Sequence, residues 1–407
     1  MMALNIGIDL CDDYITAYSF SEKSMLSASA VICRNKKEDL WYIGQTAYEM
    51  ALSGTGVLTD KLLSLLKKNG TSTIARKAYT AEQLISRLIG TVLSQMLNGA
   101  GVDEIGRLVI ALSKADKSDM DAILRAVELA GIDRQKTTII SHEESFIHYI
   151  MAQDKSLSYN MTGLFDLSSE TLSFFKMKVL RGTGKQSAVC DGTDLEEAFR
   201  IGILKNESGS ELGDRIMTDA AKKCIGNDIY SSVFITGKGF ERTDWAKSFI
   251  AFICKKRKVM YEPGIFAIGA AIYADQLAAG KDSSHLLFCD TRTKSEVSLS
   301  VTVNEKLSKL IMIPQGRPWY DLSTYAELMP KKQDYIDIDI EPSDRNNHKR
   351  TVRVDLKELL KRPDRCTRLS VEMYFESEGL LKINVIDQGF GEIFAASGDM
   401  ITESIRL

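Results

Sequence analysis

Gly7-Ile8-Asp9-Leu10-Cys11-Asp12-Asp13-Tyr14-Ile15-Thr16-Ala17-Tyr18 lines up with Leu164-Phe165-Asp166-Leu167-Ser168-Ser169-Glu170-Thr171-Leu172-Ser173-Phe174-Phe175. Both stretches read as an apolar strand closing on an aspartate and a leucine, then a polar turn, then a second strand. Leu4, Ile6, Ile8 and Leu10 alternate with Asn5, Gly7 and Asp9, the period of two that a strand with unlike faces requires. Two similar units this far apart predict a duplicated domain and argue against a short-period solenoid.

Helices and strands alternate after each hairpin. The pattern predicts a helix over 79–97, capped by Thr80 with Gln83 completing a capping box, and with Leu84, Leu88, Val92 and Met96 as its apolar stripe. Residues 107–113 read as a buried strand. A second helix follows over 118–131, with Ile123, Val127 and Ala130 inward and Gly131 at its end. Further on, 232–236 is strand-like and 262–279 helical, with Pro263 near the first turn. Such interleaving implies an α/β core.

From about His285 the texture changes. Val297, Leu299, Val301 and Val303 alternate with polar residues; so do Ile336, Ile338 and Ile340, then Val352 and Val354, then Leu369, Val371 and Met373, then Ile383 and Val385. Short alternating strands predict a β-sandwich, with one short helical insertion expected near Lys357 and no long helix in 400–407. The expected domains are 1–160, 161–284 and 285–407.

A chain of 407 residues has room for two to three domains and needs no disulfides to stay folded. A hydrophobic share of 44%, a charged share of 26% and a net charge of -3 are ordinary for a globular protein and give no reason to expect nucleic acid. The basic run Lys255-Lys256-Arg257-Lys258 reads as a solvated helix end. Seven scattered cysteines without a C-x-x-C pair argue against a disulfide framework and against a zinc site. The N-terminus enters a strand pattern at once, so no signal peptide is expected, and no apolar run approaches the roughly 20 residues of a membrane span. A cytoplasmic protein with no membrane partner is expected. There is no G-x-S-x-G elbow, no H-E-x-x-H and no P-loop, and His142 and His148 lack the spacing that would put both on one helical face.

Several stretches, in order, resemble the seventy-kilodalton heat-shock chaperone family across nearly the whole chain. Gly7-Ile8-Asp9-Leu10 is similar to its first phosphate loop and Phe165-Asp166-Leu167 to its second. Tyr42-Ile43-Gly44 through Lys61 resembles the stretch leading to its catalytic lysine, and Leu108 to Ile150 its strand, helix, strand and connecting helix. Ile235-Thr236-Gly237-Lys238-Gly239 looks like the adenosine turn, Ala267-Ile268-Gly269-Ala270-Ala271 like the second connecting helix. His285-Leu286-Leu287-Phe288-Cys289-Asp290 resembles the interdomain linker, and Leu369 to Asp387 a strand pair of the peptide-binding sandwich. The resemblance implies a two-lobed actin-like ATPase core of duplicated ribonuclease-H-like units followed by a β-sandwich. It implies ATP or ADP with magnesium as cofactor, a peptide or protein client as partner, Asp9 and Asp166 as metal-site acids, and Lys61 as the lysine stabilising the transferred phosphate. Asp12, Asp13, Ser168, Ser169, Gly237, Gly239 and Gly269 would line the nucleotide.

The departures carry equal weight. Where the family turn offers a glycine and two hydroxyls, this chain has Cys11-Asp12-Asp13; the second turn is Ser168-Ser169-Glu170. Glycine backbone N–H groups cradle phosphate, whereas each carboxylate about 5 Å from a phosphate charge costs about 1–3 kcal/mol at effective dielectrics of 80 to 20. A family acid falls on Ser173, and the connecting-helix glutamate on His142, with Glu143 next to it. Residues 179–232 leave little room for a full exchange subdomain, and no helical lid follows the sandwich. On the residues alone, Asp9 and Asp166 are either magnesium-water acids or ordinary hairpin-entry aspartates. Lys61 is either the phosphate lysine or an exposed helical lysine beside Lys67 and Lys68. Asp12, Asp13 and Glu170 either hold a cation between lobes or are solvated turns. The expected function is a chaperone-like binding protein with nucleotide binding weak or lost; a working Mg-ATP-dependent ATPase is the alternative, and a filament-forming relative a third reading.

Overall fold

Two compact units divide the chain, Met1–His285 and Leu286–Leu407. The structure, a computed structural model, describes residues 4–98, 101–114, 116–168, 171–181, 186–196, 199–281, 285–331, 333–343 and 348–407.

In the first unit, β1 (Leu4–Leu10), β2 (Tyr14–Ser19) and β3 (Ser24–Ser29) form an antiparallel run. A small flanking layer follows: β4 (Ile32–Asn35), β5 (Trp41–Ile43), α1 (Gly44–Leu52), β6 (Gly56–Thr59), α2 (Leu62–Lys67) and the hairpin β7 (Thr71–Ile74) and β8 (Lys77–Thr80). The chain returns through α3 (Ala81–Met96) to β9 (Ile105–Leu112), α4 (Lys117–Leu129), β10 (Thr137–Ser141) and α5 (His142–Met151). The sheet order is β10-β9-β1-β2-β3, with β9 parallel to both β1 and β10.

That arrangement occurs twice. β11 (Met161–Leu167), β12 (Leu172–Leu180) and β13 (Ser187–Asp194) run antiparallel, then come α6 (Glu207–Ile225), β14 (Tyr230–Thr236), α7 (Lys247–Ile253), β15 (Lys258–Tyr261) and α8 (Ile265–Ala278). The order β15-β14-β11-β12-β13, with β14 parallel to both β11 and β15, copies the first sheet strand for strand. Asp9 faces Thr16 across its hairpin and Asp166 faces Ser173 across its own. Even the irregularity in the parallel pairing recurs, between Leu4 and Asn5 and between Met161 and Thr162.

Local chemistry accounts for the elements. Thr80 Oγ1 accepts from the Gln83 N–H at 3.3 Å and Gln83 Oε1 from the Thr80 N–H at 3.1 Å, the capping box that starts α3. Asp116 caps α4, where Met120, Ala122, Ile123, Ala126 and Val127 are buried. The basic run lies at the end of α7, where Arg257 donates to the carbonyls of Phe252 and Ile253, satisfying C-terminal acceptors against the helix dipole. The first ten residues of α8 are apolar nearly all round, as a helix segment enclosed by neighbours must be, and Asp275 and Gln276 appear only in its last turn.

α5 and α8 join the two halves. A Cβ on Gly7 would lie 2.2 Å from the Ala267 carbonyl oxygen, so β1 and α8 touch backbone to backbone. A Cβ on Gly269 would lie 2.1 Å from the Ser145 carbonyl oxygen, and Ser145 Oγ donates to the Phe266 carbonyl at 2.6 Å. At the start of α5, Glu143 Oε1 accepts from the Gly192 N–H on β13 at 2.7 Å. Each sheet's last helix thus reaches the other sheet.

The second unit opens with β16 (Leu286–Phe288). Its two four-stranded antiparallel sheets are β18-β17-β20-β21, from Lys306–Ile313, Ser295–Val303, Tyr335–Pro342 and Arg350–Asp355, and β19-β22-β23-β24, from Ser323–Leu328, Leu369–Ser377, Leu380–Asp387 and Met400–Arg406. Val297, Leu299, Ile338, Ile340, Val371, Met373, Ile383 and Val385 meet in one core around Trp319 and Phe375. The helical insertion expected near Lys357 is instead a turn: Asp355 Oδ1 accepts the Lys357 N–H at 2.9 Å, a side-chain bond that competes with helix. Residues 400–406 form an edge strand on β23.

One buried ion pair ties the loops at the end of this unit. Arg362 donates to both oxygens of Asp387 at 2.6 and 2.7 Å, and Asp387 also accepts from the Gly389 N–H and from the Ser397 N–H and hydroxyl. The Arg362 hydrogen bonds hold the Asp387 carboxyl well below the usual carboxylate range. Because the folded carboxyl releases its proton more readily than the unfolded one, its contribution is complete above the unfolded value of about 3.9 and declines as pH falls through and below it. Asp387→Ala should cost about 3–5 kcal/mol at neutral pH, the scale of a broken buried pair. In urea unfolding followed from pH 7 to pH 2, the gap to the parent chain should narrow below about pH 4; a gap constant with pH would contradict this account.

Candidate functional site

The two aspartates of the repeated hairpin end the central strands of the two sheets, and both are buried, Asp9 at 1% and Asp166 at 5% exposure. Around Asp9 the hydrogen bonding is dense. Its Oδ1 lies 2.8 Å from His142 Nε2 and accepts from Cys11 Sγ at 3.5 Å; its Oδ2 accepts from the Tyr14 hydroxyl at 3.0 Å. His142 opens α5, behind the cap in which Ser141 Oγ accepts from the Glu144 N–H. Its ring lies flat on Phe266 of α8, centroids 3.7 Å apart and planes 7° apart, and Phe175 closes edge-on over Phe266. The imidazole is therefore held by both lobes.

Asp166 differs from its counterpart. Its Oδ1 is buried and meets no hydrogen-bond partner among the described residues. Burial pushes this carboxyl up to about 7; His142 opposes the rise, and the charges of Asp9 and Asp194 add to it. Burial, then the charge of Asp9, likewise raises the Cys11 thiol and the Tyr14 hydroxyl well above their ordinary values. Four acidic groups thus crowd one imidazole.

Asp194, at the end of β13, sits opposite Ser173 in register and accepts from its hydroxyl at 2.8 Å. It also pairs with Lys114 at 2.8 Å, from the segment after β9. Burial works to raise the Asp194 carboxyl, but the Lys114 and Ser173 hydrogen bonds prevail and lower it. A carboxylate therefore does stand beside Ser173, supplied by the neighbouring strand.

The remaining candidate residues separate. Asp12 accepts from the Ser64 N–H at 3.0 Å and from the Ser64 hydroxyl, which docks the first turn of α2. Asp13 closes the hairpin base, its carbonyl accepting from the Ala30 N–H. Ser168 bonds Thr171 through both backbone and hydroxyl. Ser169 and Glu170 lie outside the described residues. Lys61 is exposed and heads α2 in a left-handed conformation, φ 50°. Gly237 takes φ 94°, and a Cβ there would lie 2.4 Å from the Leu167 carbonyl oxygen and 2.6 Å from Asp166 Oδ1. A Cβ on Gly239 would meet Leu167 Cδ2 at 2.3 Å, and Gly269 marks the α5–α8 crossing. All three glycines have close contacts to account for them, with backbone at Gly237 and Gly269 and with the Leu167 side chain at Gly239.

A triphosphate with magnesium needs N–H donors and positive charge. The Cys11 N–H is bonded to the Tyr14 carbonyl and the Ser168 N–H to the Thr171 carbonyl, each closing its own hairpin. Lys114 is paired with Asp194, and Asp12 adds negative charge at the turn. The donor set at the floor suits a cation and does not suit the phosphates.

These features define a class of protein: an internally duplicated α/β unit whose two sheets are joined by two crossing helices, with buried acids at the ends of both central strands, and a second unit of two antiparallel sheets. Residues 14–291 match the family described as "Family of unknown function (DUF5716) C-terminal", and the chain belongs to that family. Residues 292–407 match "Domain of unknown function (DUF8552)". No curated protein matches the chain.

Gly237→Ala tests the packing account of the adenosine-turn glycines. A non-glycine residue in this backbone region costs roughly 1–3 kcal/mol, and the contact with Leu167 adds to it. Calorimetry should show the transition of the first unit lowered by several degrees with nucleotide absent; an unchanged transition would show that packing does not require the glycine.

Proposed function

We propose that the chain is a chaperone-like binding protein of the cytoplasm. Its first unit is a two-lobed, actin-like core of duplicated ribonuclease-H-like units, resembling that of the seventy-kilodalton heat-shock chaperones, and its sandwich holds a peptide or protein partner. Nucleotide is bound weakly or not at all. The observation that carries this reading is the committed state of the first phosphate turn: both Asp9 oxygens, the Cys11 N–H and both Asp12 oxygens already have partners within the chain. Opening these contacts to admit phosphate would leave buried acids unsatisfied, at about 1–3 kcal/mol each.

The sandwich supports the binding half. β18 is an edge strand, with β17 on one side only, and its outward face sets Leu307 and Ile311 at 81% and 49% exposure on either side of Lys309. An exposed edge with apolar side chains suits an extended peptide, which adds main-chain hydrogen bonds and places alternate side chains on one face. Tyr325, on the edge strand β19 of the other sheet, is also outward and exposed.

One observation favours an ATP-hydrolysing reading instead: the unpartnered Asp166 Oδ1, which a magnesium ion between Asp9 and Asp166 would satisfy. Thermal unfolding with Mg-ATP and Mg-ADP separates the two. No shift is expected at millimolar nucleotide, whereas a ligand at 100 times its dissociation constant adds about 2.7 kcal/mol. A clear shift, with ATP turnover lost in Asp166→Asn, would establish the ATPase.

A screen of the full chain against a library of extended peptides should return apolar binders. Leu307→Glu and Ile311→Glu, each exposed and so compatible with folding, should weaken them about tenfold or more. Absence of any bound peptide would overturn the binding assignment, as would binding that both variants leave unchanged.

A further inference from the structure

The end of β1 and the start of α5 bring a thiol and an imidazole next to a carboxylate, a donor set that hard cations do not select. We propose that Asp9, Cys11 and His142 form a three-ligand binding site for a late first-row divalent cation, of which zinc is the representative, with the buried carboxylate of Asp166 as compensating negative charge nearby. The site goes beyond the reading above and is independent of it, since neither nucleotide nor partner enters the argument.

Geometry comes first. The ligating atoms of Asp9, Cys11 and His142 all lie within 4.8 Å of one another, with His142 Nε2 and Cys11 Sγ at 2.8 and 3.5 Å from Asp9 Oδ1. A tetrahedral zinc with bonds of about 2.0–2.3 Å sets its ligand atoms roughly 3.3–3.7 Å apart, so small side-chain adjustments close the shell. The imidazole is already oriented. Its Nε2 is directed at Asp9 by the flat stack on Phe266, and the start of α5 fixes its backbone. Metal-site histidines need this kind of fixed ring.

The second observation is Asp166. It is 95% buried by its 5% exposure, and its Oδ1 meets no partner among the described residues. It lies near enough to Asp9, Cys11, Tyr14 and His142 for their charges to influence one another. An unpartnered buried carboxylate oxygen beside two further acids is unfavourable unless positive charge is present. A divalent cation held by Asp9, Cys11 and His142 supplies it.

Donor chemistry selects the ion. Magnesium takes near-octahedral oxygen ligands and keeps several waters, while thiolate with imidazole favours zinc and its neighbours. Binding exchanges a proton for metal at Cys11: the S–H bond breaks, an S–metal bond forms, and the proton passes to solvent. The hydrogen bond between His142 Nε2 and Asp9 gives way to metal bonds from both. No electron transfer is involved. The sequence offers no zinc spacing, because the ligands come from a hairpin turn and from a helix start 133 positions apart in the chain, a separation the Asp9–His142 contact records.

The experiment uses the full chain, stripped with chelator and free of nucleotide. Calorimetric titration with zinc should give one site per chain and release of at least one proton. Cobalt in place of zinc should produce a thiolate-to-metal charge-transfer band. Cys11→Ser should abolish the band, and Cys11→Ser and His142→Ala should each weaken zinc by more than the roughly 10–100-fold that outer-shell changes cost. Cys254→Ser, at an exposed cysteine after α7, should change nothing. Urea unfolding of each variant verifies that it is folded, and the cobalt spectrum of the parent chain decides the matter without any variant. The proposal is overturned if the parent gives no thiolate band, if zinc binding survives both substitutions in folded protein, or if magnesium competes with zinc on equal terms. Loss of zinc binding in the parent would leave the nucleotide and peptide tests above unaffected, so the two proposals fail separately.

Discussion

The crossing of α5 with α8 at Gly269 and Ser145 is the constraint on which the first unit depends. No side chain separates the helices there, and the Ser145 hydroxyl bonds directly to the Phe266 carbonyl. With the axes this close, the first residue of α5 falls on the ring of Phe266, and the imidazole of His142 is carried to Asp9. Gly7 repeats the device on the other side, letting α8 lie against β1. Glycine here reflects backbone proximity between two lobes. It is the same residue type that a nucleotide turn would use, which is why the family resemblance put Gly269 among the cofactor-binding residues.

The buried group of acids around His142 follows from that crossing and from the duplication. Each hairpin brings one aspartate to the end of its central strand, and the two lobes set them against a single imidazole. The two acids then diverge. Asp9 is surrounded by donors, Tyr14, Cys11 and His142, while Asp166 has its Oδ1 bare beside Gly237. Lys114 and Asp194 add an ion pair between the strand ends, both ends solvent-exposed, of a kind worth at most about 1 kcal/mol in isolation. Rigidity of the floor therefore comes from the helix crossing and the buried hydrogen bonds, and little of it from surface charge.

Periodicity made the strands, the capped helix α3 and the alternating strands of the second unit legible, because buried faces impose their period directly on the chain. Local competition was less visible: near Lys357 an aspartate side chain captures a backbone N–H and turns the chain where a helix was expected. The strands β18, β19 and β24 are edge strands with exposed outward faces, so their apolar signal is diluted. At the floor, Asp9 and Asp166 were recognisable through the hairpin repeat. Tyr14, Asp194 and Lys114 were not, since their role is set by cross-strand register and by a segment after β9. Ser173 carried the one available hint: a hydroxyl in place of an acid directs attention to its partner in register, Asp194.

The make-up of the first turn and the burial of the acids behind it have different physical consequences. Filling the turn with Cys11, Asp12 and Asp13 costs the fold nothing, since Asp12 anchors α2 and Asp13 stays at a hairpin base. Keeping Asp166 is different. A buried carboxylate oxygen with no partner costs about 1–3 kcal/mol, more when ionised, and a packed apolar residue there would be free of that cost. Its hairpin counterpart Asp9 shows that the surroundings of such a position accept donors readily, so the bare oxygen is not forced by the fold. A bound cation would satisfy that oxygen. The Cys11–Asp13 turn anchors α2 and the hairpin, and the buried acids behind it are where the proposed cation would bind.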